Sequence, residues 1–344
     1  MSQAKSHSGA SLGSLYLMGV LLSAGLTAVI AFTASGLANY STVGPTVPFA
    51  YPWRLKDPTF WSHATAWIGY ALHNIGAWII IAAVRRQKVR FSSETRWFNI
   101  AMLVLHLAGF ALHWVQSRLF YDGLAQDVPE ITALGSVALM LMIILIMETP
   151  RRGLIFGKKV KFHKKFLYIV REYHGYLFTW ALIYTFWYHP MEGTTGHLIG
   201  FFYMFVLLGQ STLLFHRAHL NKWWTLSLEM LVLPHGVLVA VHQGKGLWPM
   251  FGFGFGAMFV LTQIHGLGFK VWTRRLWYLG FIVGTVGVYA YLNRLSKIHE
   301  ITRIPVLDYL VVGLLYVIFL GCYKLFGGKA ESSDNSGGSE TQMS

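Results

Sequence analysis

Residues 61–116 read WSHATAWIGYALHNIGAWIIIAAV (61–84), RRQKVRFSSETR (85–96) and WFNIAMLVLHLAGFALHWVQ (97–116). The outer two runs hold 24 and 20 residues, and the link between them carries five cations. About 20 mostly apolar residues suffice for one helical membrane crossing, because a helix rises about 1.5 Å per residue through a core of about 30 Å. A span, a short basic loop and a returning span is therefore the unit this stretch defines. Apolar runs of the same kind recur near 13–35, 131–149, 173–190, 197–216, 223–243, 248–269, 276–292 and 306–324. Helix breakers lie between them, including Gly44-Pro45, Pro150, Pro190 and Pro249. The first run is too long, and too closely followed by others, for a cleaved signal peptide.

The expectation is an all-α, polytopic helical bundle of about ten transmembrane helices. Residues 1–12 form a cytoplasmic amino-terminal segment, 13–326 the transmembrane domain, and 327–344, which are Ser/Gly-rich and polar, a disordered cytoplasmic tail. The loop 36–60, with Pro45, Pro48, Pro52, Tyr51 and Trp53, reads as an ordered lid.

Composition agrees. The chain is 54% hydrophobic and 12% charged, against about 25% charged for an average soluble domain. Its mean hydropathy is +0.47. The 28 Lys and Arg against 14 Asp and Glu give a net charge of +14, which raises the question of nucleic acid. Their distribution answers it. With ten alternating spans, 21 cations fall on the side that holds both termini and seven on the other: Arg54, Lys56, Arg118, Lys245, Arg294, Lys297 and Arg303. That asymmetry follows the positive-inside rule, puts both termini in the cytoplasm, and accounts for the charge without nucleic acid. The location it implies is a multi-pass position in the plasma or inner membrane, with the lipid bilayer as the partner. Ten of the thirteen tryptophans (53, 61, 97, 114, 187, 223, 224, 248, 272 and 277) fall at expected interfaces, as an aromatic belt requires. The single cysteine, Cys322, rules out an intrachain disulfide.

Third and seventh spans share a histidine pair at i, i+7 near a glutamine, His106 and His113 before Gln116, and His235 and His242 before Gln243. With His63 and His197 opening the preceding spans, this reads either as a parallel duplication of a four-span unit or as coincidence among many histidines.

Fifteen histidines in a chain this poor in ionisable groups are the functional signal. Twelve lie in spans, in three layers: His63, His113, His189, His197 and His242 outermost; His73, His106 and His235 near the middle; His174, His216, His219 and His265 toward the cytoplasm. Ionisable groups inside spans are costly and usually face a functional interior, although one histidine alone often only bonds a neighbouring helix.

Three uses compete. The first is b-type haem (heme b), which needs axial histidines on facing helices at levels about 20 Å apart. His174 and His189 are 15 residues apart on the fifth span, or about 22 Å. His216 or His265 would partner the inner one, and His113, His197 or His242 the outer one. Arg171 is placed for a propionate, and Gly109, Gly175 and Gly236 would admit a flat macrocycle. This reading makes the chain a membrane redox protein that passes electrons within or across the membrane, with a quinol or a separate redox protein as partner. The second use is a non-haem iron centre of the oxygenase or hydroxylase type acting on a lipid-like substrate, with Glu172, His174, His216, His219, Glu229 and His265 as ligands. The third is proton-coupled transport, in which His and Glu relay protons and helices broken near Pro234 and the glycines 252, 254 and 256 bend around a midplane site. Those glycines serve equally well for close helix packing.

Overall fold

The computed structural model describes residues 12–44, 51–242, 244 and 246–327. Pro45, Pro48, Gln243, Lys245, His7 and the expected tail lie outside the described residues. Among the described residues, eleven α-helices run in order: α1 Leu12–Thr33, α2 Phe60–Arg86, α3 Trp97–Phe120, α4 Glu130–Arg152, α5 Lys164–Tyr188, α6 Thr195–Thr212, α7 Lys222–Met230, α8 Val232–His242, α9 Trp248–Leu261, α10 Val271–Tyr291 and α11 Arg303–Cys322. Short 3₁₀ turns join several of them, and among the described residues there is no strand, only isolated bridges.

Among the described residues, six helical segments are long and apolar enough to cross a membrane: Leu12–Leu37, Phe60–Arg86, Trp97–Phe120, Glu130–Arg152, Lys222–His242 and Leu295–Phe326. Helices α5, α6 and α10 are less apolar along their length, and α9 has only 14 residues. The surface is apolar where a soluble protein's would be polar: Leu21, Phe32, Ile79, Leu134, Val283 and Val317 are all exposed. The interior holds His73, Asn74, His106, His113, Gln116 and Glu229. Such an inversion suits a lipid surround, where polar groups must find partners inside the protein.

Local signals set the helix starts. Thr59 and Ser62 form a reciprocal capping box at α2, with side-chain bonds of 3.2 and 3.0 Å. Asn221 accepts from the backbone N–H groups of Trp223 and Trp224 at the start of α7. Asn99 accepts from Arg96 N–H at the start of α3, and its amide donates to the carbonyls of Thr212 and Leu214, which ties α3 to the end of α6.

The seventh expected span is two helices. The break falls at Leu231, three residues before Pro234, whose ring cannot donate to the preceding turn and crowds it. The fifth helix begins nine residues earlier than the expected span, at Lys164. Its added turns pack Phe166 on Tyr316 and Phe319 of α11.

Helix α5 is central. It packs against α2, α4 and α6, which is why Leu182, Ile183, Tyr184, Phe186, Trp187 and Tyr188 are all buried. Trp187, expected at a membrane interface, is instead fully buried and sits in a notch on α2. A Cβ added to Gly69 would lie 2.1 Å from its ring, so only glycine admits the indole. A second core joins α4 and the start of α5 to α9 and α11 through Leu145, Ile146, Phe166, Met258 and Val312. The glycines of α9 face three different partners, Val237, Ile304 and Phe281, and so serve packing.

Candidate functional site

Buried and half-buried histidines gather around α6 at three levels. At the first, the Tyr51 hydroxyl lies 2.8 Å from His197 Nε2 and 2.8 Å from His189 Nδ1. His197 Nδ1 pairs with Thr194 Oγ1 at 2.8 Å, and Trp53 stands edge-on to His197 at 4.5 Å between ring centroids. Tyr51 has one proton for two imidazole nitrogens, so it donates to one and accepts from the other. Moving one proton along each bond exchanges the two arrangements. Next to them, His113 donates Nε2–H to the carbonyl of His189 at 2.9 Å and lies against Trp187, tilted by 33° at 4.3 Å between ring centroids.

The second level is a directed chain. Trp187 Nε1–H faces His73 Nδ1 at 3.3 Å, His73 Nε2 faces His106 Nδ1 at 2.8 Å, and His106 Nε2 faces Ser211 Oγ at 2.7 Å. Ser211 Oγ–H donates to the carbonyl of Leu208. Indole can only donate, so His73 Nδ1 must accept and its proton sits on Nε2. His106 Nδ1 then accepts in turn, and its own Nε2–H goes to Ser211. One fixed donor thus sets the tautomer of both imidazoles, and all four ring nitrogens are engaged.

At the third level, His174 Nδ1–H donates to the carbonyl of Arg171 at 2.6 Å, and its ring lies 6.2 Å from that of His219. Trp224 Nε1–H donates to Gln210 Oε1 at 2.7 Å, which turns the Gln210 amide nitrogen toward His219 Nδ1 at 3.1 Å. Gln210 adjoins Ser211, so α6 links the second level to the third. From His197 to Ser211 is 14 residues of α6, a rise of about 21 Å.

The remaining expected ligands are placed apart. His216 Nδ1 accepts from Ala218 N–H and caps a 3₁₀ turn. His265 lies against Gly157 and bonds Tyr278 and Arg274. His242 is exposed at the end of α8, unlike its repeat counterpart His113, which is fully buried. Half-exposed His63 pairs with Asp127 at 2.6 Å. His235 turns toward Gly200 on α6, and its buried Nδ1 has no partner. Glu172 binds Arg85 at 2.8 Å, and Arg171 donates to the carbonyl of Met147. Glu229 is paired with Arg152 at 2.8 Å, both almost fully buried, and Gln263 adds a bond of 3.0 Å. Among the described residues, no group of three or more His, Cys, Asp or Glu is placed to hold a metal ion. Of the macrocycle-admitting glycines, Gly109 is covered by the His73 ring and Gly236 by Phe255.

Gln210, Ser211, Arg152 and Asp308 join these buried and half-buried polar groups without a signal in the sequence that assigned them there, and Tyr51, expected only as part of an ordered lid, bridges two histidines. Gln210 and Ser211 were visible as adjacent polar residues closing an apolar run, and Asp308 as an acid two residues inside one. Arg152 read as one more loop cation. Outside the helices, burial pushes the Asp122 carboxyl up to about 6, only partly offset by hydrogen bonds from Gly123 N–H and Ser62. Its Oδ2 is buried without a partner.

No family model, no curated protein and no solved structure matches the chain. The helical architecture and the three histidine levels are therefore the grounds for a function.

Proposed function

We propose that the chain is a ten-span membrane protein that translocates protons, in the manner of a proton-coupled transporter, with both termini in the cytoplasm. The observation that carries this reading is the unbroken donor-to-acceptor chain from Trp187 through His73 and His106 to Ser211. Imidazole accepts a proton on one nitrogen and releases one from the other, so a row of hydrogen-bonded histidines relays protons without moving far. The Tyr51 bridge between His189 and His197 does the same on the outer side. Trp187 lies between the two segments in the sense that it bonds His73 and lies against His113, which in turn donates to the carbonyl of His189. The broken helix α7–α8 supplies the bend that alternating access uses.

The orientation rests on the cation count. Arg152 is buried against Glu229 and leaves the cytoplasmic set, so 20 cations stand against seven. The four-span duplication receives no support from the environments of His113 and His242. Purified protein in liposomes with an internal pH dye tests the reading. A potassium diffusion potential should drive proton flux well above that of protein-free liposomes, and equal flux in the two would overturn it.

One spacing favours a second reading, electron transfer through b-type haem or other iron at the third level, with a quinol or a redox protein as partner. Two imidazoles that each bring a nitrogen to about 2 Å from one metal have ring centres about 6 Å apart, and His174 and His219 stand at 6.2 Å. His174, held through Nδ1, has its Nε2 lone pair to offer. His219 must first release Gln210. A Soret band with a sharp reduced α-band, lost in His174→Ala, would establish this reading. A spectrum without either band, after expression with ample haem, would remove haem from it.

A further inference from the structure

A second polar site lies outside the histidine levels. Between α4, α7, α8, α9 and α11 is a cavity of about 30 Å³, roughly the room of one water. Its polar lining is Arg152, Glu229, Thr262, Gln263 and Asp308. Arg152 Nη1 reaches both oxygens of Glu229, at 3.1 and 2.8 Å, so those charges cancel. Two buried atoms there have no partner among the described residues: Arg152 Nε, a donor, and Gln263 Oε1, an acceptor. Arg152 itself is only 4% exposed. Asp308, on α11, is 8% exposed and, among the described residues, forms none of the ion pairs. Leaving a buried donor and acceptor unmade costs about 1–3 kcal/mol each, and one water bonded to both would remove that cost.

The charges facing Asp308 are few. Helix α4 presents Arg152, and α7 presents Glu229. On α11 the neighbouring Tyr309 donates its hydroxyl to the carbonyl of Leu154. Helices α8 and α9 line the cavity with Val232, Leu233, Phe255 and Met258, which carry no charge. Met230 and Val232, on either side of the helix break, also face it.

We propose that this cavity is a proton-binding site, in which Asp308 takes up and returns a proton through one water shared with Arg152 Nε and Gln263 Oε1. In the uptake step a hydronium gives its proton to a carboxylate oxygen of Asp308. That forms a carboxylic acid and a neutral water, while the Arg152–Glu229 pair keeps both its charges. The site is independent of the histidine chain. Its position at the break between α7 and α8 makes the geometry of the bend respond to whether Asp308 is charged, because only the charged form attracts the Arg152 side chain away from Glu229.

Infrared difference spectra of the purified full-length protein, acidified against alkaline, test this in H₂O and D₂O. A carboxylic-acid C=O band should grow on acidification, shift in D₂O, vanish in Asp308→Asn and move in Asp308→Glu. The band should persist in His106→Gln, so a failure of the histidine relay stays distinguishable from a failure here. An Asp308→Asn spectrum identical to wild type would overturn the proposal, as would a wild type with no titrating band. If Asp308→Asn does not fold, Asp308→Glu decides: a displaced band supports the site, and an unmoved one refutes it.

Discussion

His73 and His106 face each other across α2 and α3 with Nε2 of the first 2.8 Å from Nδ1 of the second. Because Trp187 donates to His73, the proton between them belongs to His73 in the resting arrangement. Removing either imidazole leaves one ring nitrogen of the other without a partner, while Trp187 still holds His73 and Ser211 still holds His106.

The fit of Trp187 into α2 yields the plainest packing test. Gly69→Ala would place a methyl 2.1 Å from the indole, and the buried ring has nowhere to retreat. Overpacking of this kind costs about 1–3 kcal/mol. Thermal unfolding in detergent should show a lower midpoint for Gly69→Ala, whereas Gly135→Ala, where nothing lies within 4 Å, should match wild type. Equal midpoints for both variants would mean the notch is not tight.

The Arg152–Glu229 pair leads to an energetic cycle. Both side chains are nearly inaccessible, at 3% and 6%, and losing one partner from such a pair costs about 3–5 kcal/mol because a charge is left buried alone. Glu229→Gln and Arg152→Met should each destabilise strongly, and the double variant should recover much of the loss. Additive losses in the double variant would show that the two side chains do not act as a pair.

Asp122 predicts a pH dependence. Its carboxyl moves from an ordinary value near 3.8 up to about 6, mainly through burial. Between those values the folded protein holds a proton that the unfolded chain has released, so stability falls as pH rises through this window. Asp122→Asn keeps the shape without the titration. Its unfolding midpoint should change less than the wild type's over the same window, and parallel curves would count against the assignment.

Cys322 is the only cysteine and is exposed at the end of α11, which makes it a natural topology reporter. With both termini cytoplasmic, a membrane-impermeant maleimide should label it in intact cells only after permeabilisation. Labelling of sealed cells would reverse the proposed orientation.

Much of this architecture was legible in the sequence, and the gaps have physical causes. Each of the ten apolar runs contains helix, although among the described residues only six helical segments are long and apolar enough to cross a membrane. The break at Leu231 was hidden inside one continuous run, since Pro234 reads as a kink or a stop depending on what packs around it. The first turns of α5 carry Lys164, Lys165, Arg171 and Glu172 and so resembled a loop, yet Phe166 finds a core on α11. Arg152 looked like a loop cation because its partner Glu229 is 77 residues away. Depth alone grouped His113 with His189 and His197, and His73 with His106, as the structure does. But it also grouped with them His63, His242 and His235, and put His216 and His265 beside His174 and His219, which the structure places apart. Which nitrogen faces which partner was not readable, since that depends on helix rotation and on Tyr51, Ser211 and Gln210.

The central claim is tested most directly by proton flux through the protein in liposomes under a potassium diffusion potential, comparing wild type with His106→Gln. Glutamine occupies the site and bonds Ser211 but cannot accept a proton on one atom and release it from another. The account predicts that His106→Gln, folded and reconstituted to the same density, loses at least about nine-tenths of the wild-type flux, a change of roughly 1.4 kcal/mol or more in the barrier. A flux in His106→Gln equal to that of wild type would contradict it.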